Sequence, residues 1–396
     1  MVSRGFIGGR LGKWAVAVFS LLAAWGVFDV TFSRLFPAGI SDRSEYYSPD
    51  PYFGWTYAKS AKLKSENAFG EKVSFEFTPE GFRDWYLGAA PAREIRILYV
   101  GDSTTGAIQV NRRDHFIQLV DDELSRKGHS TRGFNYGVNG YSADQVLMVL
   151  ARYVKKIRPA LVVYTFVEND IWPISLDRLK IENRLYGKPT VHVGEGGTFI
   201  VSPPPFSKIE LPVPLKEALI QNSFALPRVR SLVRGWRPRG GDRGISDFQK
   251  MNPILGLEEI IRRTRKGNGY PPAVWRALER IVVAMYKVSR EADAEFLLFP
   301  LLDPWVTLPA ARKVLKEAGS DPDSIQRRVL AIARKNGIQA TFDVLESFPK
   351  PGPLSKHLES LYFAKNGHIY DEHFSVHGHR MIAGYLAPWI ERMVAK

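Results

Sequence analysis

Apolar runs that end abruptly in a small, polar turn constrain this chain more than any other feature. Arg93-Glu-Ile-Arg-Ile-Leu-Tyr-Val100 runs straight into Gly101-Asp-Ser-Thr-Thr-Gly106. Leu161-Val-Val-Tyr-Thr-Phe166 is followed, after Val167, by Glu168-Asn-Asp170. Apolar texture without polar alternation marks a strand covered on both faces. Shorter strands are expected near Gly133 to Tyr136, at Glu295-Phe-Leu-Leu-Phe299 and at Gln339 to Val344. Between them lie segments with helical spacing: Phe116 to Lys127, Ala143 to Ile157, Ala273 to Ala292, Ser324 to Asn336 and Val376 to Val394. Strands alternating with helices predict a parallel sheet of about five strands, a three-layer α/β/α sandwich.

In such a sheet, ligands gather where strands end at their carboxyl side. Three strands deliver turn-forming clusters there: Gly101-Asp-Ser103, Gly137-Val-Asn-Gly140 and Glu168-Asn-Asp170. A fourth cluster, Asp371-Glu-His373, stands just before the last helix. A serine hydroxyl becomes a nucleophile when a histidine removes its proton, and a carboxylate on the other ring nitrogen fixes the tautomer. The resulting oxyanion needs aimed N–H donors, which a glycine amide and an asparagine side chain can supply. Ser103, His373, Asp371, Gly140 and Asn169 meet that list of parts.

With these blocks in this order, the chain resembles the SGNH (GDSL-type) hydrolases. The resemblance rests on Gly101-Asp102-Ser103, Asn135-Tyr-Gly137-Val-Asn-Gly140, Asn169-Asp170 and Asp371-Glu-His373, and covers roughly residues 91 to 170 and 272 to 396. It implies a flavodoxin-like core and acyl transfer through a Ser103 ester. His373 is the implied base and Asp371 its partner. The Ser103 amide, Gly140 and Asn169 form the implied oxyanion hole, with Asp102, Asn135 and Asp170 in support. The chain departs from the family twice. Val167 stands where a glycine is usual, and Asp371-x-His373 replaces Asp-x-x-His. The shorter spacing resembles membrane-anchored and glycan-acylating branches. An ester hydrolase or O-acyltransferase acting on a cell-envelope or exported glycan is therefore expected. A catalytically silent glycan-binding protein and a lipid esterase at the membrane surface are the alternatives.

Other chemistries fit poorly. The chain has no cysteine, which excludes disulfides, zinc–thiolate sites, iron–sulfur clusters and a cysteine nucleophile. His373, His377 and His379 lie close in sequence, but Phe374 stands where the metalloprotease pattern needs glutamate. No Gly-Lys-Ser/Thr follows Gly101 to Gly106, and Gly137-x-x-Gly140 lacks the first spacing of a dinucleotide fingerprint. No metal and no cofactor are expected.

The N-terminus addresses location. Arg4, Arg10 and Lys13 precede an uncharged run from Trp14 to Phe28. A helix from Trp14 to Phe32 would span about 28 Å, close to the roughly 30 Å hydrocarbon core. A basic tail at 1–13, a signal anchor at 14–36 and a β-rich extension at 41–90 are thus expected ahead of the hydrolase-like domain at 91–396. The flanking charges orient the N-terminus to the cytoplasm, which in a bacterium places a single-pass inner-membrane protein with its domain in the periplasm. The chain carries a formal charge of +14, and an insertion at 171–270 holds 17 basic against 9 acidic residues, more than half of that excess. There Arg228, Arg230, Arg234, Arg237 and Arg239, with Trp236, suit an anionic polysaccharide or lipid headgroups. Nucleic acid is not expected of an exported domain.

Overall fold

The structure is a computed structural model that describes residues 46–83, 94–182, 184–194, 197–204, 270–301, 309–317, 319–338, 360–365 and 368–394, with short helical pieces among the first 28. The chain divides into two units. One comprises Met1–Glu45, Lys180–Leu185 and Ile209–Gly241, and lies mostly outside the described residues. The other, Tyr46–Leu179, Tyr186–Lys208 and Asp242–Lys396, carries everything discussed below. Among the described residues no helix is long and apolar enough to cross a membrane. Most of the 14–36 segment lies outside them, as do all five arginines from Arg228 to Arg239.

Two antiparallel pairs open the second unit, β1 (Tyr47–Asp50) with β2 (Gly54–Tyr57) and β3 (Lys62–Glu66) with β4 (Lys72–Glu76). Val73 and Phe75 alternate with exposed neighbours along β4, so one face of that pair is buried. The central sheet follows: β5 (Ile95–Gly101), β6 (Thr131–Gly137), β7 (Leu161–Phe166) and β8 (Glu295–Pro300). All four run parallel, in spatial order β8-β7-β5-β6. Tyr99 lies opposite Val163, and Val163 opposite Leu297, so the three strands align their apolar sets in register. About five strands are expected from the sequence; four are described, and the segment read as the fifth, 339–344, lies outside the described residues.

Helices cover both faces. Helix α1 (Ser103–Gly106) is one turn long, and α2 (Phe116–Arg126) follows it. Phe116, Val120 and Leu124 share one face of α2 and pack with Ile97, Tyr99, Leu161, Val163, Leu297 and Phe299. Ile382, Leu386 and Ile390 of the final helix, residues Val376–Val394, complete that layer. On the opposite side α3 (Ala143–Ile157) packs on β5 and on α4 (Pro272–Arg290), which also meets β8. Ser142 and Gln145 start α3 with a capping interaction, and a left-handed Arg158 ends it before Pro159. Two more helices, α5 (Pro309–Glu317) and α6 (Ser324–Lys335), precede an antiparallel pair, β9 (Tyr362–Lys365) and β10 (His368–Phe374). The Val376–Val394 helix is α7. The architecture is the expected α/β/α sandwich.

Strand order places the site. From β5 the chain steps to β6 on one side, then returns past β5 to β7 on the other. That reversal opens a crevice at the carboxyl ends of β5 and its neighbours.

Candidate active site

Gly101 closes β5, and a side chain there would collide with Thr105 and Thr165. Glycine thus lets α1 begin immediately beyond the strand. Asp102 caps that helix, its carboxylate accepting from the Thr104 amide at 2.8 Å. Because Asp102 takes the capping role, Ser103 is left available at the first helical position. Ser103 is buried, and its Oγ donates to Asp102 Oδ2 at 3.2 Å. The Asn169 side chain also hydrogen-bonds Asp102, and the charge of His373 acts on the same carboxyl. Burial raises the Asp102 pKa above the ordinary aspartate value, although these partners pull against it.

The β6 turn meets the same helix. Asn135 donates to the Thr105 carbonyl at 2.9 Å and accepts from the Gly137 amide at 3.0 Å. A side chain on Gly137 would strike Thr105, the Gly106 amide and the Asp102 carbonyl. Gly140 has φ of +77°, a left-handed conformation that favours glycine. Beyond β7 the turn Glu168–Asp170 carries Asn169, and Asp170 anchors it by accepting from Tyr164 Oη at 2.8 Å and the Val167 amide at 3.3 Å. Burial, with the nearby Asp102 and Asp144 carboxylates, drives the Asp170 pKa well above the ordinary aspartate value.

The histidine arrives on β10, where the sequence reading anticipates only a segment ahead of the last helix. Asp371 Oδ1 binds His373 Nδ1 and also accepts from the His373 amide at 3.1 Å. The His373 side chain is 14 % exposed, and its Nε2 is buried without a hydrogen-bond partner. Burial lowers an imidazole pKa, but Asp371 outweighs it, aided by Glu372 and Asp102, and His373 rises to about 9. Helix α1 packs against β10, so the serine and the histidine–aspartate pair occupy one edge of the sheet. The neighbouring histidines diverge from it. His377 is exposed, whereas His379 is buried against Phe116 and His115. No cluster able to hold a metal occurs among the described residues.

Two supporting residues escape the sequence reading. Arg83 is fully buried and donates to the carbonyls of Gly106, Ala107 and Val110, fixing the chain just past Ser103. Lys188 pairs with Asp144 at 2.6 Å, both side chains fully buried, at the start of α3 beyond Gly140. Nothing local distinguishes this lysine from its exposed counterparts. Lys188→Met removes one charge of a buried pair and is expected to lower unfolding stability by about 3–5 kcal/mol. Denaturant unfolding checks it, and adding Asp144→Asn recovers part of the loss by removing the stranded carboxylate.

Fold and site together define an α/β sandwich with a helix-borne serine and a strand-borne histidine–aspartate pair at one sheet edge. No family model matches the chain, and no curated protein matches it. Among solved structures the chain is similar to the esterase EstA from Pseudoalteromonas sp., at 11 % identity and a TM-score of 0.34 over 76 % of this chain and 99 % of that one. It is similar to a lipase/acylhydrolase from Enterococcus faecalis at 13 % and 0.37, over 75 % and 96 %. An acetyl xylan esterase is similar at 13 % and 0.37, over 74 % and 98 %.

Proposed function

We propose that the protein is a serine-dependent acyl hydrolase or acyltransferase acting on O-acyl, chiefly O-acetyl, esters of a cell-envelope or exported glycan. One observation carries this reading: His373 is held through Nδ1 by Asp371 and presents a buried, unpartnered Nε2 at the edge that holds Ser103. Ser103 Oγ attacks the acyl carbonyl while His373 Nε2 takes its proton, and Asp371 stabilises the imidazolium. The amides of Ser103 and Gly140 and the Asn169 side chain receive the oxyanion. As the tetrahedral intermediate collapses, His373 returns its proton to the departing alkoxide, leaving the acyl group on Ser103. Water or a sugar hydroxyl then attacks, again deprotonated by His373, and Ser103 is regenerated. Water yields an esterase; a sugar hydroxyl yields an O-acyltransferase. The N-terminal basic and apolar run supports inner-membrane anchoring with the domain in the periplasm, and the arginines of the 171–270 insertion support contact with anionic polysaccharide or headgroups.

A second reading has one observation in its favour. Ser103 Oγ donates to Asp102 rather than to His373, which suits a catalytically silent glycan-binding protein. The deciding experiment offers the full chain p-nitrophenyl acetate and long-chain esters, with and without glycan acceptors. Fast acetyl turnover, with acetyl recovered on water or glycan, is the expected result. Preference for long acyl chains identifies a lipid esterase instead. Carbohydrate binding with neither turnover nor acyl-enzyme overturns the catalytic reading.

A further inference from the structure

The strand β2 reaches across to the turn that carries Gly140. The Trp55 indole Nε1 donates to the Asn139 carbonyl at 2.9 Å. Tyr57 Oη donates to Asn139 Oδ1 at 2.5 Å, and Tyr141 Oη donates to the Trp55 carbonyl at 2.5 Å. Three hydrogen bonds thus join residues 55 and 57 to the residues on either side of Gly140. Trp55 and Tyr57 are both fully buried, and Tyr57 is stacked on Phe77 with ring centroids 4.3 Å apart. Tyr57 also passes close to Gly106, where a Cβ would meet its hydroxyl. It therefore touches the end of the Ser103 helix and the Gly140 turn together.

The consequence follows from peptide geometry. The Asn139 carbonyl and the Gly140 N–H belong to one planar unit, and the chain has no cis peptide among its described residues. In a trans peptide the C=O and the N–H point in opposite directions. A group that grips the Asn139 carbonyl therefore sets the direction of the Gly140 N–H. Gly140 itself, left-handed and without a side chain, provides no such restraint. The turn's own amide bonds are modest: Val138 N–H to the Gly101 carbonyl at 3.3 Å and Tyr141 N–H to the Val138 carbonyl at 3.2 Å.

We propose that Trp55 and Tyr57 are positioning residues that aim the Gly140 amide into the oxyanion hole, which makes the β1–β4 segment part of the acyl-transfer machinery. The proposal rests on the acyl-transfer reading for its kinetic consequence and on the turn's geometry alone for its structural one. An oxyanion donor acts only where charge develops in the transition state, so its misalignment lowers kcat with little change in KM.

The test compares full-length wild type with Tyr57→Phe, which keeps the stacked ring and deletes one hydroxyl, and with Trp55→Phe. Two quantities are read: kcat and KM on p-nitrophenyl acetate, and amide hydrogen exchange at Val138 and Tyr141. Tyr57→Phe is expected to lower kcat about tenfold, with KM within about twofold, and to speed exchange at both amides by about tenfold. Trp55→Phe is expected to do more in both. A drop in thermal stability with kcat and turn exchange unchanged means a packing role only and overturns the proposal. Should the wild type prove inactive, the acyl-transfer reading fails by itself. The exchange measurement then still decides whether β2 holds the turn.

Discussion

Ser103→Ala is expected to lower ester turnover by about 10⁴-fold or more, a loss of roughly 5 kcal/mol or more of transition-state stabilisation. Thr104 and Thr105 follow on the same helix, but Thr105 is buried against Thr165 and belongs to the packing of β5 on β7. His373→Ala should cost nearly as much. The double variant should be little worse than either single one, because nucleophile and base act as a unit and their losses do not add. Additive losses would mean that the two residues serve separate steps. Thermal unfolding of Ser103→Ala should stay close to wild type, since Asp102 retains its hydrogen bonds to Thr104 and Asn169.

The second large effect concerns Asp371 and is a matter of pH as well as rate. A general base must be neutral to accept a proton, and His373 is raised to about 9. At pH 7 only about 1 % of it is neutral in the free enzyme, so kcat/KM should climb about tenfold per pH unit and level off near pH 9. Asp371→Asn removes the largest influence raising that pKa and leaves burial, which acts downward, against the weaker upward pull of Glu372 and Asp102. The rising limb should then move to lower pH, while the plateau falls by about 10³–10⁴ through loss of tautomer control and imidazolium stabilisation. The apparent damage is therefore smaller at pH 7 than at pH 9. A variant with an unmoved limb would show that another group sets the profile. Stability carries the same signature with a definite sign. The folded-state pKa lies above the unfolded value near 6.5. The stability that the pair contributes is thus complete below about pH 6.5 and is lost as pH rises through about 9. Asp371→Asn should flatten that slope.

Ser103 and Asn169 were readable from residue order because each follows the end of a buried strand. β5 and β7 are buried on both faces, so their apolar runs are continuous and their ends fall at Gly101 and just before Glu168. Gly140 was placed by the turn that follows β6. The β10 strand was less visible. Its seven residues, His368–Phe374, include an Asp, a Glu and two His, and pairing with β9 rather than apolar periodicity defines it. α5 was missed for a related reason, being short and strongly charged over Pro309–Glu317. Arg83 and Lys188 lay beyond reach in a different way. Their burial depends on partners 23 to 44 residues away in the chain, which no local pattern encodes. The hydrogen bonds from Trp55 and Tyr57 to Asn139 span 84 and 82 residues. Aromatic residues in a β-rich segment announce packing; only the fold shows what they hold.

The central claim is that Ser103 is an activated nucleophile served by His373. Mass spectrometry of the full chain after exposure to a fluorophosphonate tests it most directly, because the probe reports nucleophilicity without requiring the natural substrate. The account predicts one adduct, on the peptide containing Ser103, forming faster as pH rises toward 9 and absent or greatly slowed in His373→Ala. An unlabelled Ser103 in folded wild type, or labelling at an equal rate in His373→Ala, would contradict it.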